Sequence, residues 1–545
     1  IVYVKADLTG TADGKSWETA LGDLQGAVDL AGLYANNNSG QNGYVFVHGN
    51  YHDVGALNLT LDNTKVYGGM NDERSDEALE EDFNNVTTVV NSLLTKRKGM
   101  LEATNRSSLG TVSISADGVI DGFEVTGVAT VNAGALSTSV VKNDVGGVAA
   151  GLLYNSLVLG NGTTEHPGNV SGVTTVNVTA TGAIMGAAGS GNNRTSATGN
   201  NTYVTDEYWN YQLMETSADI DPTGTRTDIS DYMTKVGHER DLIGNKRIRN
   251  IVDNGCFETW NISKGMTTDS DNDGNVDAYP ITATDYPVGK SVVYVRKGQE
   301  LSITANVYPN GNAFTPGFLL LEHQAGLRGN GNYISLNNNF AMERNVPGNG
   351  SDLANIPFNV QKIEKTADVI TYQIYNGQIR AGYDYKFDSS DSKAWEGLTT
   401  VTGKQALALN SSGTDEVTVR FYGGSYEENG TNKTISLQKY NFNDMWTTDA
   451  NGNIVPSTSN RFTHKENMSW NLFGSPYLCA MNYSDLEYGR VLYGYDGGYK
   501  TVNTSIVSNT DEGHIPAGSA VFTQTATLRD RETFKVKQPS GSKSG

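Results

Sequence analysis

Asp269-Ser270-Asp271-Asn272-Asp273-Gly274-Asn275-Val276-Asp277 is the stretch whose side chains are spaced most clearly for chemistry. Carboxylates stand at positions 1, 3, 5 and 9 of this run, with glycine at position 6. Oxygen ligands at alternate positions converge on one hard cation, the glycine permits the sharp turn, and the position-7 carbonyl of Asn275 adds a further ligand. The spacing predicts a calcium loop formed by Asp269, Asp271, Asp273, Asn275 and Asp277. Position 12, which in such a loop carries a bidentate acid, is Pro280. An acidic linker is the competing reading, and a chain with 60 acidic and 40 basic residues accommodates one.

Elsewhere chemistry-bearing residues are sparse. Between Val125 and Thr205 the charged or imidazole side chains are Lys142, Asp144, Glu165, His166 and Arg194. Lys142 and Asp144 fall in one turn, and Glu165 and His166 in a glycine-rich loop, so they read as turn residues rather than stacked acids and bases. The stretch from Asn71 to Lys98 alternates acids and bases and reads as a solvated excursion. The net charge of −20 opposes nucleic acid as a partner, because phosphates would be repelled. No apolar run approaches the roughly 20 residues that a membrane-spanning helix needs. Cys256 and Cys479 make no metal-ligand spacing, and their spacing alone does not decide whether they pair.

The elements that position these residues are strands. Hydrophobic residues make up 37% of the 545 positions and charged residues 18%, with 62 glycines. Val, Thr, Tyr and Ile suit pleated sheets, while Gly and Asn suit turns. Ile1-Val2-Tyr3-Val4 opens as a strand, read as the start of a mature exported chain. A helix follows, with Leu21, Leu24, Ala27, Val28 and Ala31 at helical spacing, placed to cap the open end of a stacked sheet. From there to about residue 190 short strands recur at intervals of roughly 20 residues, the range of solenoid repeats. Examples are Val119-Ile120-Asp121, Leu152-Leu153-Tyr154-Asn155 and Val173-Thr174-Thr175-Val176-Asn177. Asn after a strand fits a polar turn, since it tolerates left-handed backbone and can hydrogen-bond along a ladder.

These phrases carry a family resemblance. Val2-Tyr3-Val4-Lys5-Ala6-Asp7 with Gly14-Lys15-Ser16-Trp17 and Leu24-Gln25-Gly26-Ala27-Val28 resembles the N-terminal cap of Bacteroidota parallel β-helix surface proteins, themselves similar to the polymorphic outer-membrane proteins. Val66-Tyr67-Gly68-Gly69-Met70 followed by Val119-Ile120-Asp121-Gly122-Phe123 is similar to an internal signature of that group. Asn210-Tyr211-Gln212-Leu213 and Asp241-Leu242-Ile243-Gly244-Asn245 resemble its closing rung. The resemblance implies an all-β chain: a right-handed parallel β-helix over residues 1–260, followed by β-sandwich modules. The acidic run Asp269–Asp277 resembles thrombospondin-type and dockerin-type calcium loops.

Beyond residue 260 the reading continues with a small β module over 261–345, then one or more β-sandwich modules over 346–545, where Asn-Gly and Gly-Gly turns signal hairpins. Ser469-Trp470-Asn471-Leu472-Phe473-Gly474-Ser475-Pro476-Tyr477 and Ile515-Pro516-Ala517-Gly518 resemble a sandwich of exported Bacteroidota proteins. The 28 tyrosines suit strands, and they also suit stacking on sugars.

Taken together, the sequence points to a secreted, non-enzymatic protein of the outer face of a bacterial outer membrane, a surface-layer component or adhesin. Its expected partners are copies of itself, other surface proteins or glycans, with calcium as the one candidate cofactor. Polysaccharide lyases share the parallel coil, so a glycan-binding or glycan-cleaving protein is the alternative. Such a site needs acids and bases clustered on one outer face of successive rungs.

Overall fold

The computed structural model describes the chain except for residues 7–11, 71–89, most of 91–106, 161–166, 186–193, 196–202, 205–211, 221–233, 248–251, 263–278, 282–290, 304–312, 376–394, 438–445, 457–469, 483–491, 496–498, 503–513, 525–531, 538–545 and the single positions 214, 239 and 246. The described residues are mostly strand, arranged in parallel sheets, one mixed sheet and small antiparallel ladders, with one longer helix at Leu24–Asn37. The chain divides into two compact units: Ile1–Asn261 with Lys290–Val292, and Ile262–Gly289 with Val293–Gly545.

In the first unit three parallel sheets share the chain in rotation. Val119–Asp121, Glu124–Val125 and Ala129–Val131 each enter a different sheet. Ala135–Ser137, Val140–Val141 and Val145–Gly147 then pair with them in the same order, as Val119↔Ala135, Glu124↔Val140 and Ala129↔Val145. Leu152–Tyr154, Leu157–Val158 and Val170–Ser171 make the next circuit, and Thr174–Val176, Thr179–Ala180 and Ile184–Met185 the one after. Successive circuits take 16, 17 and 22 residues, so the recurrence near 20 averages unequal turns.

Register stacks like on like. Val66, Ile120, Leu136 and Leu153 form one inward column, and Val125, Val141, Val158 and Ala180 another, all fully buried. Burying each such Leu, Val or Ile contributes about 1.5–3 kcal/mol, which makes the filled interior the main source of stability. The corner after the first sheet is a column of left-handed residues: Gly122, Thr138, Asn155 and Asn177, with φ between 46° and 84°. Asn177 Nδ2 donates to Asn155 Oδ1 at 3.1 Å, and both side chains are buried. Ser139 and Ser156 continue the corner, each hydroxyl donating to the carbonyl two residues before it and accepting a backbone N–H from the preceding circuit. Buried backbone polar groups at a corner need such partners.

The helix Leu24–Asn37 buries Leu24, Ala27, Val28, Ala31 and Ala35. It packs on the strands of the first circuits, as the apolar spacing predicts, while Leu30, Leu33 and Tyr34 face outward. The outer face of the first sheet carries an aromatic column. Tyr3 and Phe46, then Phe46 and Tyr67, are register partners with ring centroids 5.9 Å apart in each pair. Asp121 is the next residue in that column, opposite Tyr67.

In the second unit, Phe318–Leu321, Phe340–Val346, Val417–Glu428, Ser351–Lys365, Gly403–Ser411, Ile370–Tyr375 and Trp395–Leu398 follow one another in a mixed sheet. The first pair is parallel and the rest are antiparallel. Tyr279–Ile281, Glu300–Ile303 and Gly326–Arg328 form a parallel sheet, and Trp470–Gly474, Ala520–Gln524, Leu492–Tyr495 and Tyr499–Val502 an antiparallel one. Leu353 and Ala408 of the mixed sheet pack with Ala520 and Phe522 of the antiparallel sheet. Ion pairs tie this unit together, among them a half-buried, two-pronged contact from Arg344 to Asp352 at 2.8 Å on each prong.

Candidate functional site

The predicted calcium ligands Asp269, Asp271, Asp273, Asn275 and Asp277 lie outside the described residues, as do Glu165 and His166. Among the described residues no group of three or more His, Cys, Asp or Glu side chains is placed to hold a metal ion. Lys142 pairs with Glu124 at 3.0 Å, joining adjacent circuits. Asp144 accepts hydrogen bonds from the backbone N–H and the side-chain amide of Asn169. Arg194 lies in the strand Arg194–Thr195, which extends the second sheet beside Thr179–Ala180. Of the described side chains, Lys142 and Asp144 thus engage different partners. Cys256 and Cys479 are both free thiols, and each is buried in its own unit. Burial pushes the Cys256 thiol up to about 12.

A different set does converge. Asp121, on the outer face of the first sheet, receives Arg97 Nη2 at 2.6 Å on Oδ1 and lies 3.1 Å from His238 Nε2 through Oδ2. Arg97 Nε also donates to the Gly68 carbonyl, and the Tyr67 hydroxyl donates to the Val236 carbonyl beside His238. The Tyr67 and His238 rings meet edge to face at 5.6 Å. The sequence reading treated Asn71–Lys98 as solvated, yet Val90, Leu94 and Arg97 of that stretch are buried against this sheet.

Burial by itself would raise the Asp121 carboxyl; the charges and hydrogen bonds of His238 and Arg97 outweigh it and hold the group well below the usual carboxylate range. Burial lowers the His238 imidazole by more than Asp121 raises it. The Arg97 guanidinium contacts the other carboxylate oxygen, Oδ1, directly at 2.6 Å. An acid, a base and a cation on the outer face of a parallel sheet is the set that proton abstraction from an acidic sugar requires. Here Tyr67, Arg97, Asp121 and His238 are at most 5% exposed, which leaves no face for a substrate. The arrangement is a clamp that ties distant segments to the sheet.

The accessible candidate is a cleft of about 920 Å³ in the second unit. Strand segments supply its lining: Asn355 and Pro357 from one strand, Lys433, Thr434 and Ile435 from another, Leu472, Phe473 and Gly474 from a third. The lining is evenly polar and apolar, with Asn337, Gln405, Ser425 and Glu427 also facing in. Lys404 enters at a register shift, where the strand Ser351–Lys365 bulges between Ile356 and Asn359. Gly403 and Lys404 are both left-handed, with φ of 87° and 54°. A Cβ at position 403 would lie 1.8 Å from the Phe358 carbonyl oxygen, so only glycine fits there. A lysine in this region costs about 1–2 kcal/mol, and Lys404 is the charged member of an otherwise Asn, Gln and Thr set of left-handed non-glycine residues.

Lys433 runs beside two tyrosines, its ammonium 4.3 Å from the Tyr426 ring centroid and 5.0 Å from that of Tyr477, and donates to the Pro476 carbonyl at 3.1 Å. Burial lowers its ordinary value; Glu428 opposes that shift and Lys404 adds to it. Neither lysine has a carboxylate within ion-pair distance among the described residues. Sequence reading missed this site, because its lining comes from six strands spread over some 140 positions and carries no motif.

The chain matches no protein-family model, no curated protein and no solved structure. No helix among the described residues is long and apolar enough to cross a membrane.

Proposed function

We propose that this chain is a non-enzymatic protein of a bacterial cell surface, a surface-layer component or adhesin. On this reading residues 1–260 form a right-handed parallel β-helix, 261–345 a small β module and 346–545 β-sandwich modules that make protein or glycan contacts. The observation that carries the reading is the rotation of the chain through three parallel sheets around a filled interior, with its acid–base–cation set sealed by other segments. Parallel strands joined by crossovers within one sheet are right-handed in nearly all proteins, which supports the hand. The family-like phrases at both ends of this region support its span and its export. Calcium held by Asp269, Asp271, Asp273, Asn275 and Asp277 belongs to the same proposal.

The alternative, a glycan-binding protein, is favoured by the open cleft of the second unit with its mixed polar and apolar lining. Incubating the purified full chain with uronic polysaccharides in calcium and following new unsaturated ends tests the enzymatic branch. No product above buffer is expected, and a steady release of unsaturated ends would overturn the non-enzymatic reading. Microscopy of the purified chain for ordered arrays, with binding to cells or matrix, tests the structural branch.

A further inference from the structure

The cleft of the second unit combines three features. Its two cations, Lys404 and Lys433, face one cavity without a carboxylate in ion-pair range, in a chain of net charge −20. Lys404 is exposed and Lys433 half-buried, so an anion entering the cleft meets one hydrated and one partly desolvated cation. Lys404 is also held in a left-handed backbone that a glycine would adopt without strain. Observed strain of this kind is concentrated where a side chain must be aimed. Finally, an ammonium has three donors, and Lys433 spends one on the Pro476 carbonyl while its stem is fixed between two tyrosine rings. Its direction is therefore set before any ligand binds.

We infer that this cleft binds an acidic oligosaccharide, whose carboxylate or sulfate group is held by Lys404 and Lys433. The inference names the ligand class for the contact-making role proposed above, and rests on that reading. The remaining lining fits sugar rather than a simple ion. Asn337, Gln405 and Ser425 supply amide and hydroxyl partners for ring hydroxyls, and Leu472 and Ile435 supply apolar surface for the ring faces. A volume of about 920 Å³ takes several sugar rings, well beyond what one inorganic anion needs. Glu427 also faces in and would repel a second negative charge placed near it, so it favours a ligand whose charges are spaced along the chain rather than contiguous.

The test is calorimetric titration of the full chain with an oligogalacturonate, a sulfated oligosaccharide, a neutral oligosaccharide of the same length and an oligoglutamate peptide. One acidic oligosaccharide is expected to bind, weakening severalfold between 50 and 200 mM salt, while the neutral one does not. Two variants keep the outcome readable. Lys404→Gly is expected to weaken binding at least tenfold while the melting temperature holds or rises, because the backbone strain is removed; a lysine with only a structural role would not give that opposed pair. Lys433→Met, which keeps the stem between the rings, is expected to give a similar loss. Equal binding of the neutral oligosaccharide, or unchanged affinity in Lys404→Gly, overturns the inference. Tighter binding of oligoglutamate overturns it in favour of an acidic protein segment. If no acidic glycan binds but the chain still coats cells, only the ligand class fails. If the acidic glycan binds and is cleaved, the cleft assignment stands and the non-enzymatic reading fails.

Discussion

Replacing Asp121 by Asn leaves shape nearly unchanged and removes the only anion on the Arg97 guanidinium among the described residues, a contact of 2.6 Å between groups fully withdrawn from water. Breaking a buried pair by removing one partner costs about 3–5 kcal/mol, since the other charge stays buried and uncompensated. The Asn carbonyl still accepts from Arg97 Nη2, which places the expected loss near the lower end, about 3 kcal/mol. Arg97→Met alone forfeits the bond to the Gly68 carbonyl and strands the Asp121 charge, with a similar loss. Joined in one protein, the two changes remove both charges, so the double variant is expected to lose far less than the sum, with a coupling of at least about 2 kcal/mol. The assay is urea denaturation followed by pulse proteolysis, reading peptides from residues 1–261. Additive losses, within about 0.5 kcal/mol, would refute the clamp. Acid gives a second check. The folded value of Asp121 is depressed, so its contribution is complete above the unfolded carboxylate value and fades as pH falls through the folded one. Asp121→Asn should flatten the stability profile below about pH 4.

Three further outcomes follow from the same geometry. Asn155→Ala should cost about 2–3 kcal/mol, from a left-handed backbone that alanine resists and the lost bond from Asn177, whereas Asn155→Gly should lose only the bond, about 1 kcal/mol; equal losses in chemical denaturation would contradict the ladder. Burial lowers His323 from 6.5 to about 4, and its Nδ1 accepts the Asn345 N–H. A depressed folded value means the unfolded chain binds the extra proton, so the second unit should lose stability as pH falls from about 6.5 toward 4, and His323→Asn should blunt that loss in melting curves across this range. Leu136→Ala, in the centre of the fully buried column, should cost about 2–5 kcal/mol by urea denaturation, and a loss below 1 kcal/mol would argue against a close-packed interior.

How much of this was legible in the residues depends on whether the signal was local. Asn following a short strand is a local signal, and Asn155 and Asn177 do take the left-handed corner that the type permits. The cap helix was legible from its apolar spacing, with one shift: Leu21 precedes the helix and bridges to Val4 in a strand-like contact. The two phrases Val66-Tyr67-Gly68 and Val119-Ile120-Asp121 read as the two halves of one signature, and they are neighbouring strands in register, Val66 against Ile120. What they bring together was not legible. Arg97 and His238 reach Asp121 from outside the repeat, and spacing says nothing about such meetings. One signal was available: an ionised residue inside an apolar strand must find a partner, so Asp121 called for a buried cation. For the cleft no comparable signal exists, since the left-handed backbone of Lys404 arises from a bulge in a strand some 45 positions earlier.

Antibody labelling of intact native cells tests the central claim most directly, using sera against the second unit. A surface protein that makes contacts through this unit predicts strong labelling of unbroken cells, lost after gentle protease treatment that leaves the cells intact. Labelling that emerges only after lysis would contradict it.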